Sequence, residues 1–153
     1  MTLQKILNLG SGRDIRPDWF NVDKTGRFGP DLVHDLNVMP WPLETEAFEH
    51  VRAFDILEHL DHPLAVMEEI WRVLIPGGHC YIHTANWRYP NAYIDLTHKR
   101  PFDIDTFDLF DLDTPYGQKY AELYTHARFK VLVKREDGQE LYFELKKLPG
   151  GER

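Results

Sequence analysis

The stretch Lys5-Ile6-Leu7-Asn8-Leu9-Gly10-Ser11-Gly12 constrains this chain more than any other. An apolar run of strand length that stops in two glycines one residue apart describes a central strand of a parallel sheet, feeding a turn whose backbone passes close to a ligand. Glycine suits that place because, without a Cβ, it accepts positive φ and leaves room for a bound group against the main chain. A Gly-x-Gly turn alone also serves as a plain strand-to-helix connection, so the rest of the chain has to decide.

The segment Arg13 to Trp19 is too short and polar for a crossover helix, and Pro17 limits it to one helical turn. Phe20 to Lys24 reads as a second strand and Asp31 to Leu36 as a third, each ending near an acid, Asp23 and Asp35. Glu46 to Val51 reads as a short helix or turn, and Val51 to Leu57 as a fourth strand running into Glu58-His59-Leu60. After Asp61-His62-Pro63, the residues Leu64, Met67, Ile70, Trp71 and Leu74 recur at helical spacing until Pro76-Gly77-Gly78. Residues 79 to 86 form a fifth strand, and Asp105 is placed to cap a short helix carrying Phe107, Leu109 and Phe110. Residues 127 to 135 and 139 to 147 read as two strands joined across Asp137-Gly138, a hairpin signal.

Strands alternating with crossovers predict a doubly wound, mostly parallel α/β sheet, with the closing hairpin as an antiparallel edge. One domain over residues 1–148 and a frayed tail over 149–153 follow from the length of 153 residues. No run approaches the roughly 18 apolar residues of a membrane helix, and residues 1–5 lack the features of a secretory signal, so no membrane partner is expected. A single cysteine, Cys80, forms no internal disulfide and fits a reducing, cytoplasmic setting. A net charge of −7 argues against a broad phosphate-binding surface, hence against nucleic acid. In such sheets ligands lie at the carboxyl ends of the strands near the switch point, which gathers Gly10, Ser11, Gly12, Asp23, Asp35 and the segment Asp55 to His59 around one crevice.

Leu7 to Gly12, Asn21-Val22-Asp23, Asp31 to Leu36, Phe54 to Leu60 and Arg72-Val73-Leu74-Ile75-Pro76-Gly77-Gly78 resemble, in order and spacing, the successive signatures of class I S-adenosylmethionine-dependent methyltransferases. The resemblance implies a Rossmann-like methyltransferase fold and S-adenosylmethionine as cofactor. It assigns to that cofactor Asn8, Gly10, Ser11, Gly12, Asp23, Lys24, Asp35, Leu36, Asp55 and Leu57. The glycines would lie against its amino-acid part and Asp23 would accept the two ribose hydroxyls. Asp35 would accept the adenine amine beside an apolar wall of Leu36, extended by Met39 or Trp41. A nicotinamide oxidoreductase fits less well, because position 15 is Ile where the dinucleotide fingerprint has a third glycine, and Asp23 follows Gly10 too closely.

Methyl transfer needs alignment and exclusion of water, and a base only for a poorly acidic acceptor such as a sugar hydroxyl. His59, His98 and Glu58 are the catalytic candidates, although Leu-Glu-His-Leu also serves as a structural turn. The stretch Tyr93 to Phe102 is similar to a loop found over the methyl in some family members, which would make His98 a base and Arg100 a holder of an acidic substrate. Asp55-x-x-Glu58-His59 also resembles the acidic pair plus histidine of metal-assisted quinone O-methyltransferases. Those three converge only if the strand end turns sharply, and no metal is expected. Asn8 stands where many members have an acid, and the helices that commonly cover the substrate are missing ahead of the first strand. A small-molecule or glycan acceptor is expected; either the substrate is large and partly held from outside, or a second subunit of a homodimer closes the site. Trp19, Trp41, Trp87 and Tyr89 would supply an aromatic patch for it. A cofactor-binding but non-catalytic interaction domain is the alternative of a different class.

Overall fold

The computed structural model describes residues 5–152. Among the described residues seven strands form one sheet: β1 (Ile6–Leu9), β2 (Phe20–Asp23), β3 (Leu32–Val33), β4 (Phe48–Phe54), β5 (Leu74–Ala85), β6 (Phe129–Asp137) and β7 (Glu140–Lys147). Their order is β3-β2-β1-β4-β5-β7-β6. The first five pair in parallel, and β5, β7 and β6 pair antiparallel. Leu7 and Leu9 are buried on β1, and Asn8 between them is buried as well, as befits a strand covered on both edges by β2 and β4.

Two α-helices, α1 (Pro63–Val73) and α2 (Pro115–Tyr124), accompany the sheet. Helix α1 begins on Pro63, whose missing N–H is no loss in a first turn, and buries Val66, Met67, Ile70 and Val73. A 3-10 turn, Thr106–Phe110, sends Phe107 edge-on against Phe143 of β7 at 4.7 Å and Phe110 against Phe129 of β6 at 5.8 Å. Ala53, Ile82 and Phe143 are successive cross-strand partners, so these contacts fall on one face of the sheet, in one core with the apolar residues of α1. Helix α2 packs on the 3-10 turn. Its Gly117 lies so near Asp111 that a Cβ would come within 2.0 Å of the Asp111 carbonyl.

The opposite face carries Ile6, His50, Arg52, Phe54 and Tyr81, which with Trp19 line a shallow groove of about 370 Å³. The mostly parallel sheet, the inner position of β1 and the antiparallel closing hairpin are those anticipated. The crossovers between β1 and β4 contain no helix among the described residues, so the helical layer covers one face.

Several boundaries differ from the sequence reading. Phe48 to Val51 belong to β4 rather than to a helix or turn, with Phe48, Val51 and Ala53 buried. β3 is two residues long, because His34 to Asn37 turn through local hydrogen bonds instead of continuing the ladder. β5 begins at Leu74, immediately after α1. A register shift absorbs Ile75 to Gly78, with Gly77 at φ +75°, before regular pairing to β4 resumes at His79. Asp105 does not cap the 3-10 turn and instead pairs with Lys134 at 2.5 Å. The expected frayed tail makes contacts among its described residues, 149–152: the Gly151 amide donates to the His126 carbonyl at 2.9 Å, just beyond the Leu148 carbonyl that accepts from the Trp71 indole at 2.9 Å; residue 153 lies outside the described residues.

Candidate active site

The carboxyl ends of β1, β2 and β4 open onto a cleft of about 540 Å³, within the range of small-molecule and cofactor sites. Gly10 and Gly12 lie at φ +62° and +49°, a left-handed conformation glycine adopts without strain. A Cβ on Gly10 would stand 2.6 Å from the Ile56 side chain, whereas one on Gly12 would meet nothing within 4 Å. The first glycine therefore admits the wall of the cleft, and the second leaves open space above the turn. Between them Ser11 is buried with its hydroxyl unpartnered.

Asp23 is oriented from both sides. Its Oδ2 accepts the Gly12 amide at 2.8 Å and its Oδ1 the Thr25 amide at 3.0 Å, leaving further lone pairs toward the cleft. Asp35, exposed at the rim, accepts the Asn37 amide at 2.9 Å. Leu36, Ile56 and Leu60 supply the apolar lining. Lys24 and His59 complete the group of anticipated residues that the cleft brings together.

Others are placed elsewhere. The Asn8 amide donates to the Asp14 carbonyl and to Asn21, and its Oδ1 accepts from Arg52, so it braces the turn from beneath. Leu57 is a core residue at 0% exposure. Asp55, at φ +54°, turns from the cleft to place Oδ1 2.6 Å from His83 Nδ1, and so does not converge with Glu58 and His59. Trp41 is buried with its indole donating to the Leu36 carbonyl, and neither it nor Met39 lines the cleft. Arg100 borders a different cavity, of about 580 Å³, between α1 and the 3-10 turn. The anticipated aromatic patch does not form as one surface. Trp19 lies under Arg16 and Arg52, and Trp87 donates to Asp103 at 2.5 Å.

The loop of residues 86–101 closes one side of the cleft with Leu96, Thr97 and Lys99. It is fastened to the 3-10 turn Leu57–His59: the Lys99 amide donates to the Glu58 carbonyl at 2.7 Å, and its ammonium pairs with Asp61. His59 Nδ1 lies 3.2 Å from the Thr97 carbonyl and 3.0 Å from Thr97 Oγ1, and that hydroxyl donates to Asp95 at 2.6 Å. A carbonyl only accepts, so Nδ1 carries the proton and Nε2 the lone pair. Burial, then the neighbouring charge of His98, holds the His59 pKa below its usual value. The His98 ring stands edge-on to His59 at 4.8 Å. Glu58 is 3% exposed, and burial pushes its carboxyl up, with Asp55 adding to the shift. Sequence reasoning found these three residues but not the Asp95-Thr97 chain behind His59; the Asx-type spacing of Asp95 and Thr97 was the signal available for it.

A seven-stranded sheet in this order, with a glycine turn facing an acid at the end of β2, defines the class I S-adenosylmethionine-dependent methyltransferase fold. Comparison with known proteins agrees. Residues 12–82 match the family described as a methyltransferase domain. Over 70 residues, 42% of this chain, it is 33% identical to a ubiquinone biosynthesis O-methyltransferase of Psychrobacter cryohalolentis and equally to that of Psychrobacter arcticus. The chain spans only 27% of the length of those relatives. A S-adenosylmethionine-dependent methyltransferase of Archaeoglobus fulgidus superposes with a TM-score of 0.63 at 17% identity, covering 93% of this chain and 85% of that one. One of Mesorhizobium loti gives 0.64 at 13% identity, covering 94% and 90%. Residues 12–82 thus match a methyltransferase domain, and the described chain shares the fold of S-adenosylmethionine-dependent methyltransferases.

Proposed function

We propose that this chain transfers the methyl group of S-adenosylmethionine to a hydroxyl of a small molecule or sugar. The observation that carries the reading is the Asp23 carboxylate, fixed by the Gly12 and Thr25 amides at the mouth of an open glycine turn. The orphaned Ser11 hydroxyl and the space over Gly12 fit a polar ligand lying on this turn. When bound, the cofactor supplies a methyl carbon already activated by its sulfonium.

The chain's own residues do the rest. Asp23 accepts the ribose hydroxyls and Lys24 flanks it, while Asp35 accepts the adenine amine against Leu36. Ile56 and Leu60 exclude water from the apolar side of the cleft. His59, held by Thr97 and Asp95 and with its pKa lowered by burial, presents Nε2 as the acceptor for the proton of the incoming hydroxyl. Glu58 and His98 back this end of the cleft. Asn8, Asp55 and Leu57 contribute by holding the turn and strand ends rather than by touching the ligand. The buried Cys80, whose thiol burial pushes up, suits a cytoplasmic protein, and a homodimer would cover the open loop side around Leu96.

Incubation with methyl-labelled S-adenosylmethionine and a panel of phenols, sugars and carboxylates tests this, with label transfer and S-adenosylhomocysteine as readouts. Transfer to a hydroxyl, lost in Asp23→Ala, is expected. Cofactor binding without transfer to any acceptor would favour the non-catalytic binding domain.

A further inference from the structure

We propose that Glu58, His59 and His98 form a binding site for a divalent first-row transition cation at the acceptor end of the cleft. It deepens the proposed function, on which only the consequence of the cation rests and not its binding. Each of the three residues offers one ligand atom, and these atoms all lie within 4.8 Å of one another. A cation about 2.1 Å from each nitrogen and oxygen would draw tetrahedral donors to about 3.4 Å, an adjustment the exposed loop of residues 93–100 allows.

Three features go beyond proximity. First, Glu58 is 3% exposed and its Oε2 makes no well-formed hydrogen bond, the Thr84 hydroxyl being its polar neighbour, and a buried carboxylate oxygen so poorly satisfied is costly. Second, both imidazoles turn Nδ1 to backbone carbonyls, His59 to Thr97 at 3.2 Å and His98 to Ala92 at 3.1 Å. That fixes in each ring the tautomer that metal-binding histidines use, with Nε2 bearing the lone pair. Third, the groups facing the pair are arranged for a cation. Asp95 Oδ2 lies 3.6 Å from His98 Nε2 and its Oδ1 anchors Thr97, so further negative charge adjoins the cluster.

The second cluster of similar composition, Asp55, His83 and Glu140, shows the contrast. There both ring nitrogens of His83 donate to carboxylates, Nδ1 to Asp55 at 2.6 Å and Nε2 to Glu140 at 3.0 Å, which leaves no lone pair for a metal, whereas Asp95 stands 3.6 Å from His98 Nε2, beyond hydrogen-bond reach. The metal reading of Asp55-x-x-Glu58-His59 fails on the same fact, since Asp55 faces His83. His98, contributed by the loop, takes its place and changes the chemistry. Two imidazoles and one carboxylate select Zn²⁺, Co²⁺, Fe²⁺ or Mn²⁺ over Mg²⁺ and Ca²⁺. With a cation in place, His59 is a ligand rather than a base, and an acceptor hydroxyl at the open position has its pKa lowered by the metal.

The full chain, freed of metal with a chelator, is titrated with Co²⁺ and followed by its visible d–d absorption. Zn²⁺ and Mg²⁺ serve as competitors, and S-adenosylhomocysteine calorimetry is run on every sample. One equivalent of Co²⁺, displaced by Zn²⁺ but not by Mg²⁺, is expected. Glu58→Gln and His98→Ala should each weaken it at least about tenfold while His83→Ala leaves it unchanged. If His98→Ala fails to fold, His98→Gln and Glu58→Gln carry the comparison. No Co²⁺ band, or one that survives loss of Glu58 or His98 or vanishes in His83→Ala, overturns the site. Metal binding without S-adenosylhomocysteine binding would instead sink the cofactor reading, and the reverse result would leave that reading standing without the metal.

Discussion

Gly10 and Gly12 share a backbone conformation yet carry different burdens. A methyl at position 10 would add a 2.6 Å clash with Ile56 to the strain of positive φ. Gly10→Ala is therefore expected to cost about 2 to 4 kcal/mol, seen as a lower Tm. Gly12→Ala meets no neighbour and pays about 1 kcal/mol for its φ alone, so its larger effect should fall on cofactor affinity in calorimetry. His83 offers a pH signature. The hydrogen bond that His83 donates to Asp55 raises its pKa against the opposing effect of burial, and the charges of Asp55, Glu140 and Glu58 add to the rise. A raised folded pKa stabilises fully below the unfolded value of about 6.5 and is lost as pH climbs through the folded value. Urea denaturation should show His83→Gln most destabilised near pH 6 and least near pH 9. His59, shifted the other way, contributes above about pH 6.5 and loses that contribution as the solution becomes acidic.

At the scale of elements, α2 depends on its entry. Thr114 accepts the Gly117 amide at 3.0 Å and donates to the Asp111 carbonyl at 2.8 Å, so Thr114→Ala should cost about 1 kcal/mol. Gly117→Ala, with backbone 2.0 Å from the new Cβ, should cost several times that, both read from chemical denaturation. This helix escaped sequence reasoning because only Gly117 and Ala121 are buried along it, while Tyr116, Leu123 and Tyr124 face solvent, so no apolar period marks it. Helix α1 was legible because Met67 and Ile70 of the anticipated stripe are buried, joined by Val66 and Val73, although Leu64 faces solvent and Leu74 opens β5. The cleft residues Gly10, Asp23 and Asp35 were legible because strand ends and glycines announce themselves locally. Asp55 was not, since its direction is set by a left-handed φ and by His83 on the next strand, neither visible in a one-dimensional pattern. The Asp95-Thr97-His59 chain likewise joins residues 38 apart.

For the whole molecule, the topology that builds the cleft also leaves the helices on one face, with Trp19, His50, Arg52 and Tyr81 on the other. Cleft and core are nevertheless one piece, because Leu36, Leu57 and Leu60 belong to the same apolar cluster as Ile70 and Phe143. A ligand in the cleft must then stabilise the entire fold. S-adenosylhomocysteine at 100 times its Kd should add about 2.7 kcal/mol and raise Tm by about 5 to 10 °C in differential scanning calorimetry. The ion pair of Lys99 with Asp61 at the loop's edge is exposed on both sides, and Lys99→Ala should change stability by less than about 1 kcal/mol.

The most direct test of the account is a calorimetric titration of the full chain with S-adenosylmethionine, S-adenosylhomocysteine and NAD, repeated on Asp23→Ala. The account predicts binding of the first two, no binding of NAD, and a loss of about tenfold or more in the variant, as expected when charge-assisted hydrogen bonds to the ribose disappear. Binding unchanged by loss of the Asp23 carboxylate, or selective binding of NAD, would contradict it.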